Sequence, residues 1–182
     1  MTDVDGRRIL YVIVCGAGPA PQVDRLVRSA HGRGWGVCVV PTPAAVDFVD
    51  VAMLEALTGY PVHSRYRRPG ESGRLPKADA IIVAPATYNT INKWTHGIAD
   101  NYALGLLAEL VPLGVRTAVL PFVNSALAAN PVFMRSIGEL RAMGVRVLFG
   151  PGEFEPHPPG TGGTRLDAYP WESVLDAVEG CG

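Results

Sequence analysis

Ala80-Ile81-Ile82-Val83-Ala84-Pro85-Ala86-Thr87-Tyr88-Asn89-Thr90 is the stretch on which the fold turns. Its first five residues are apolar without alternation. So short an uninterrupted run predicts a strand covered on both faces, as in a parallel sheet. Thr87, Asn89 and Thr90 then offer side-chain oxygens where a helix would begin. Four further runs repeat the pattern. Ile9 to Cys15 leads into Gly16-Ala17-Gly18-Pro19, and Val37 to Val40 into Pro41-Thr42-Pro43. Thr117 to Leu120 leads into Pro121-Phe122, and Val145 to Phe149 into Gly150-Pro151-Gly152.

Helical periodicity lies between these runs. Val23, Leu26, Val27 and Ala30 share a face, and Gly32 and Gly34 stop that helix. Val51 to Leu57 ends at Gly59, while 90–98 and 101–110 are separated by a turn at 97–100. Pro131 suits a first helical position, and Ile137, Leu140 and Met143 carry that helix to Gly144. Trp171 to Val178 is the last. Alternating strands and helices predict an α/β chain: an open parallel sheet with helices on both faces, in three α/β/α layers.

Length and composition narrow the classes. At 182 residues and 48% hydrophobic, the chain suits one globular domain over 1–182. Two segments fall outside the repeat: an Arg-rich insertion at about 60–76 and a Pro/Gly loop at about 150–163. Both are expected as surface excursions, with little core-forming capacity in the second. Sixteen basic against 17 acidic residues leave no basic face for nucleic acid. No apolar run approaches the ~20 residues of a membrane span. Met1 to Arg8 carry no secretory pattern, and Cys15, Cys38 and Cys181 have no metal-ligand spacing. A cytoplasmic location, no metal, and core thiols at Cys15 and Cys38 are the expectations.

Ligands of open parallel sheets bind beyond the carboxyl ends of the strands. Gly16-Ala17-Gly18 lets backbone N–H groups approach an anion, or is a plain tight turn. Residues 80–108 hold only two charges, Lys93 and Asp100, beside Thr87, Asn89, Thr90, Asn92 and Asn101. Neutral donors at a helix start suit a phosphate or a polar heterocycle, and equally serve as helix caps.

Residues 80–101 resemble the flavin-binding signature of the homo-oligomeric flavin-containing cysteine decarboxylases, a family that includes the phosphopantothenoylcysteine and peptidyl-cysteine enzymes. That signature reads A-P-x-S-A-N-T, a short helix, then G-I-x-D-N. This chain has Ala84-Pro85-Ala86-Thr87-Tyr88-Asn89-Thr90 and Gly97-Ile98-Ala99-Asp100-Asn101 at the same spacing. A second motif, P-x-M-N-x-x-M-W, is matched partly by Pro121-Phe122-Val123-Asn124-Ser125-Ala126-Leu127-Ala128. The resemblance covers about 8–149 and implies a Rossmann-like or flavodoxin-like fold, FMN as cofactor and a homo-oligomer built from trimers. The sequence adds that 101–110 is apolar nearly all round, so more than one sheet face must cover it.

Carried over by motif, the resemblance implies that Gly16, Ala17, Gly18, Thr42, Pro85, Ala86, Thr87, Tyr88, Asn89, Thr90 and Asp100 surround the flavin. Tyr88 replaces a small residue and is expected to stack on or shield the ring. Trp94 is expected in helix packing, and Asp100 as a brace of its turn. Asn124 is the implied contact for a substrate carboxylate. Independently of the resemblance, Arg65, Arg67 and Arg68 either help hold that carboxylate or form a solvated or subunit-contact loop, and the second is expected. The implied reaction is oxidative decarboxylation of a cysteine, for example at a peptide C-terminus.

Three departures bear on that reaction. The position matching the family's catalytic His falls near Glu71, and His63 is the nearest imidazole. His63 is either its functional equivalent or a solvated, dispensable side chain, and the second is expected. The terminal Met-Trp of the second motif is Leu127-Ala128. The loop at 150–163 holds no Cys to reduce an enethiol, so the product is expected to stay oxidised. Two other readings remain open from the sequence: an FMN protein serving as redox partner or carrier, and a prenyl-flavin transferase.

Overall fold

The computed structural model describes residues 6–66, 68, 70 and 75–180. Five strands form one parallel sheet: β1 (Arg8–Val14), β2 (Trp35–Pro41), β3 (Ala80–Ala86), β4 (Arg116–Pro121) and β5 (Arg146–Val147). Their order is β2-β1-β3-β4-β5. β1 is the pivot, pairing Arg8–Val14 with Trp35–Pro41 on one side and Leu10–Ile13 with Ala80–Val83 on the other. β2 and β3 are buried at every position, as their unalternated sequence requires. The expected fifth strand is only two residues long in the ladder, at the sheet edge. Leu148 prolongs the pairing by donating its N–H to the Val119 carbonyl at 2.9 Å.

Alternate residues of β1 point into two cores. Leu10, Val12 and Val14 meet α1 (Asp24–Gly32), α2 (Val51–Thr58) and α7 (Trp171–Glu179). Ile9, Tyr11 and Ile13 meet α3 (Tyr88–Thr95), α4 (Tyr102–Leu110) and α6 (Pro131–Ala142). A four-residue α5 (Ser125–Ala128) and short 3-10 turns are not legible in the periodicity. Chemistry sets the helix ends. Asp50, Thr87, Asn101, Asn124 and Asn130 each accept a backbone N–H as N-caps, and Gly59 ends α2 in the left-handed region at φ 73°. Cys15 and Cys38 are buried thiols.

The segment at 150–163 corrects an expectation. Most of the loop is exposed, but Phe154 and His157 are buried and pin it to the core, which a loop with little core-forming capacity would not do. Aromatic rings hold it: Phe154 meets Phe122 at 6.2 Å and Tyr169 at 5.3 Å between centroids. Buried Tyr169 donates its hydroxyl to the Leu120 carbonyl at 2.7 Å, tying the loop's end to β4. Clustered rings in a contact network recover apolar burial that a Pro/Gly composition conceals. The insertion at 60–76 is likewise fastened at its end, where the Tyr11 hydroxyl donates to the Pro76 carbonyl at 2.7 Å and Leu75 is buried.

Tyr169→Phe removes the donor to a buried carbonyl while keeping the ring. A loss of about 1–3 kcal/mol is expected, read as a lower urea midpoint at unchanged slope.

Candidate functional site

The sheet order reverses between β1 and β3, whose crossovers leave in opposite directions. Their carboxyl ends therefore open a gap, the usual ligand position in such sheets. A cleft of about 380 Å³ lies there. Gly16, Ala17 and Gly18 line it after β1, and Thr87, Tyr88 and Asn89 after β3. Phe122, Val123 and Asn124 follow β4, and Leu127 and His157 complete the wall. Its volume is within the ~300–1,000 Å³ of small-molecule sites.

Close packing explains the small residues of the first loop. A Cβ on Gly16 would lie 2.7 Å from the Ala44 carbonyl oxygen, and one on Gly18 would lie 2.9 Å from Leu166. Backbone thus forms the wall where any side chain would collide. At the third strand, Thr87 accepts the Thr90 N–H at 3.3 Å and caps α3. The other first-turn N–H groups, of Tyr88 and Asn89, have no carbonyl one turn back within the helix. Asn124 Oδ1 accepts the Leu127 N–H at 2.9 Å, which holds its amide at the start of α5. Beneath the cleft, the buried Cys15 thiol bonds to Thr87 and Thr90, and burial pushes its pKa up. It is a structural thiol, not a nucleophile.

The expected residues divide into those at the cleft and those behind it. Gly16, Ala17, Gly18, Thr87, Tyr88, Asn89 and Asn124 meet there. Tyr88 stacks on Phe133 at 5.6 Å between centroids. Thr42, Ala86 and Thr90 are buried and do not line the cleft. The Thr42 N–H donates to the Val14 carbonyl at 2.8 Å, and Thr42 precedes a 3-10 turn. Pro85 follows a cis peptide and accepts the Cys15 N–H at 3.0 Å, while Ala86 accepts that of Phe122 at 2.9 Å. These residues join the strand ends. Asp100 pairs with Lys93 beyond the other end of α3 and braces that turn. Trp94 is in the core.

The described residues of the insertion are not among those lining the cleft. His63 is half-buried, its ring edge-on to Tyr102 at 6.4 Å, which corrects the expectation of a solvated imidazole. Tyr66 packs on the same Tyr102, and its hydroxyl occupies the space beside Gly105 where a Cβ would stand. Arg65 is exposed and donates to the Tyr66 carbonyl at 3.5 Å, and Arg68 is exposed. Arg67 and Glu71 lie outside the described residues.

Sequence reasoning misses four cleft residues: Phe122, Val123, Leu127 and His157. Phe122 shows only as the residue after the fourth strand, and His157 has no local signal in its Pro/Gly setting. The His157 ring lies 4.7 Å from that of Phe122, and its Nδ1 has no hydrogen-bond partner. Burial first, then the charge of Arg165, lowers its pKa. The site is therefore neutral polar: backbone donors, hydroxyls, two amides and one uncharged imidazole. Such a set suits a phosphate-bearing heterocycle, with glycines for close approach and a helix start for the anion. Among the described residues, no group of three or more His, Cys, Asp or Glu could hold a metal ion. No described helix is long and apolar enough to cross a membrane.

Comparison with known proteins agrees with this geometry. The Flavoprotein family model matches residues 2–180. The chain is 29% identical over 145 residues to a probable phosphopantothenoylcysteine decarboxylase of Streptococcus mutans, covering 76% of this chain and 80% of that one. It is 29% identical over 154 residues to the coenzyme A biosynthesis bifunctional protein CoaBC of Mycolicibacterium smegmatis. That match covers 80% of this chain but 35% of the relative, so the chain spans about a third of the bifunctional protein. Among solved structures, the FMN-dependent cysteine decarboxylase SpaF superposes with a TM-score of 0.66 at 27% identity, over 94% of this chain and 97% of that one. Sheet order, the loops meeting at the cleft and the match along nearly the whole chain agree: the chain belongs to the Flavoprotein family.

Proposed function

We propose that the cleft binds flavin mononucleotide and that the protein catalyses oxidative decarboxylation of a cysteine-bearing substrate, a peptide ending in cysteine being the favoured class. One observation carries the reading: the glycine loop after β1, the first turn of α3 and Asn124 converge on a single cleft with no charged side chain among its described residues. Bound flavin would supply the two-electron acceptor that makes the cysteine side chain an electron sink for loss of its carboxylate. The chain's own part is recognition and orientation. Gly16, Ala17 and Gly18 allow backbone contact with the phosphate-bearing chain, and Thr87 and Asn89 add neutral hydrogen bonds at the helix start. Tyr88 is an apolar wall steadied by Phe133. Asn124, held by its cap, presents an amide to the substrate carboxylate.

The proposal includes a homo-oligomer built from trimers. α4 buries Ala103, Leu104 and Leu107 but leaves Leu106 and Leu110 half-exposed. Trp94, Leu107, Val111, Pro112 and Met143 line an apolar groove beside it. A second copy would cover this surface.

The purified protein is expected to be yellow and to release FMN on denaturation. It should also bleach anaerobically on mixing with a cysteine-terminated peptide, which loses carbon dioxide by mass. A colourless protein that FMN does not stabilise against heat would end the reading, because a ligand of the native state alone must raise the melting temperature.

Asn89→Ala and Asn124→Ala should separate the two halves of the cleft. The first is expected to lose flavin while staying folded. The second should keep flavin, unfold about 1 kcal/mol more easily through its lost cap, and lose turnover. Flavin content, urea unfolding and initial rates check the pair. Light scattering checks the assembly, with a mass that is a multiple of three chains expected at micromolar concentration.

A further inference from the structure

Each of the four histidines has a distinct setting. His31 is in α1, His63 lies against Tyr102, and His96 Nδ1 is 2.8 Å from the Asn92 carbonyl at the far end of α3. Only His157 lines the cleft. Among the described residues of that wall, the imidazole is the side chain with a basic nitrogen lone pair, so it is the available proton acceptor.

His157 is also held for such a task. Its residue is 8% exposed, and its Nδ1 is buried without a hydrogen-bond partner. Buried polar atoms are ordinarily paired, so an orphan in a cleft wall calls for a function or a ligand. Its carbonyl accepts the Ser125 N–H at 2.8 Å, and it forms an isolated parallel bridge with Asn124. The imidazole thus shares a backbone clamp with the amide assigned to the substrate. Phe122 and Gly162 flank the ring and bring no charge, and Arg165 is the charged group acting on it.

We propose that His157 is the base that takes the proton of the substrate thiol in this cleft. The inference rests on the cysteine-bearing substrate proposed above. In the step, the S–H bond breaks, its electron pair stays on sulfur and the proton moves to an imidazole nitrogen. Nothing is oxidised or reduced. Burial and Arg165 keep the imidazole uncharged near neutral pH, so it has a lone pair to offer. The product is a thiolate beside an imidazolium; burial opposes charge on either group, and their mutual attraction at close range offsets that cost.

The test uses the flavin-loaded protein and a tripeptide ending in penicillamine. That residue has a thiol and a carboxylate but no hydrogen on Cβ, so it cannot be oxidised as cysteine would be. A thiolate against oxidised flavin gives a long-wavelength charge-transfer band, which is followed across pH. In the wild type the band should appear at least about one pH unit below the ordinary thiol value of ~8.5. In His157→Gln it should appear only near that value, with flavin content unchanged and decarboxylation of a cysteine peptide slowed by ~10²–10⁴-fold. His157→Asn serves if the glutamine variant fails to fold, with the flavin spectrum as the check. An unshifted band in the variant, or no band in the flavin-loaded wild type, overturns the assignment of His157 alone. Failure to load flavin at all overturns the proposed function before any peptide is added.

Discussion

β1 hydrogen-bonds to parallel neighbours on both edges and packs apolar side chains on both faces. A strand so enclosed has no freedom of register, because a one-residue slip would exchange its two cores. It also forces the connections apart. The chain leaves β1 through α1 towards β2, and returns to β3 on the other side. The gap at the carboxyl end of β1 is therefore a consequence of burying the strand, and the loops that fill the gap become the site.

The described residues of the cleft carry almost no formal charge. Thr87 and Asn124 each spend one side-chain oxygen on a helix cap, so the groups that shape the helix starts also shape the wall. Caps limit the motion of the side chains that make them, and orientation in a site depends on such limits. The charged residues of the motif region are elsewhere: Lys93, in the last turn of α3, pairs with Asp100 beyond the end of that helix. Backbone and neutral donors suit an anion without a competing salt-dependent partner, and the buried imidazole is the described group of the wall with a basic nitrogen.

Closure comes from the other end of the chain. Residues 150–166 return over the strand ends, with Phe154 and Tyr169 clustered on Phe122, and Leu166 beside Gly18. The Tyr169 hydroxyl fixes this return to the Leu120 carbonyl. Arg33, at the end of α1, reaches Glu172 and Asp176 at 2.6 Å and Glu179 at 2.8 Å, joining α1 to α7 and anchoring the chain beyond the loop. The carboxylates of Glu172 and Asp176 are well exposed, so this network contributes geometry more than stability.

By itself the sequence determined the strands, most of the helices and the half of the cleft supplied by 16–18 and 87–89. Those features are local: unalternated apolar runs report burial on both faces, and cap residues report helix starts. Asn124 was legible only through the resemblance of 121–128 to a family motif. Only the tertiary structure decided which motif residues face the cleft and which lie behind it, since Thr42, Ala86 and Thr90 differ from their neighbours in direction rather than in type. It likewise placed His63 against Tyr102 and carried His157 into the wall. His157 is separated from every other cleft-lining residue by all of α6 and β5, and nothing in Glu155-Pro156-His157-Pro158 reports burial. That information resides in rings brought together across the fold, because aromatic packing joins residues by distance in space and leaves no period in the sequence.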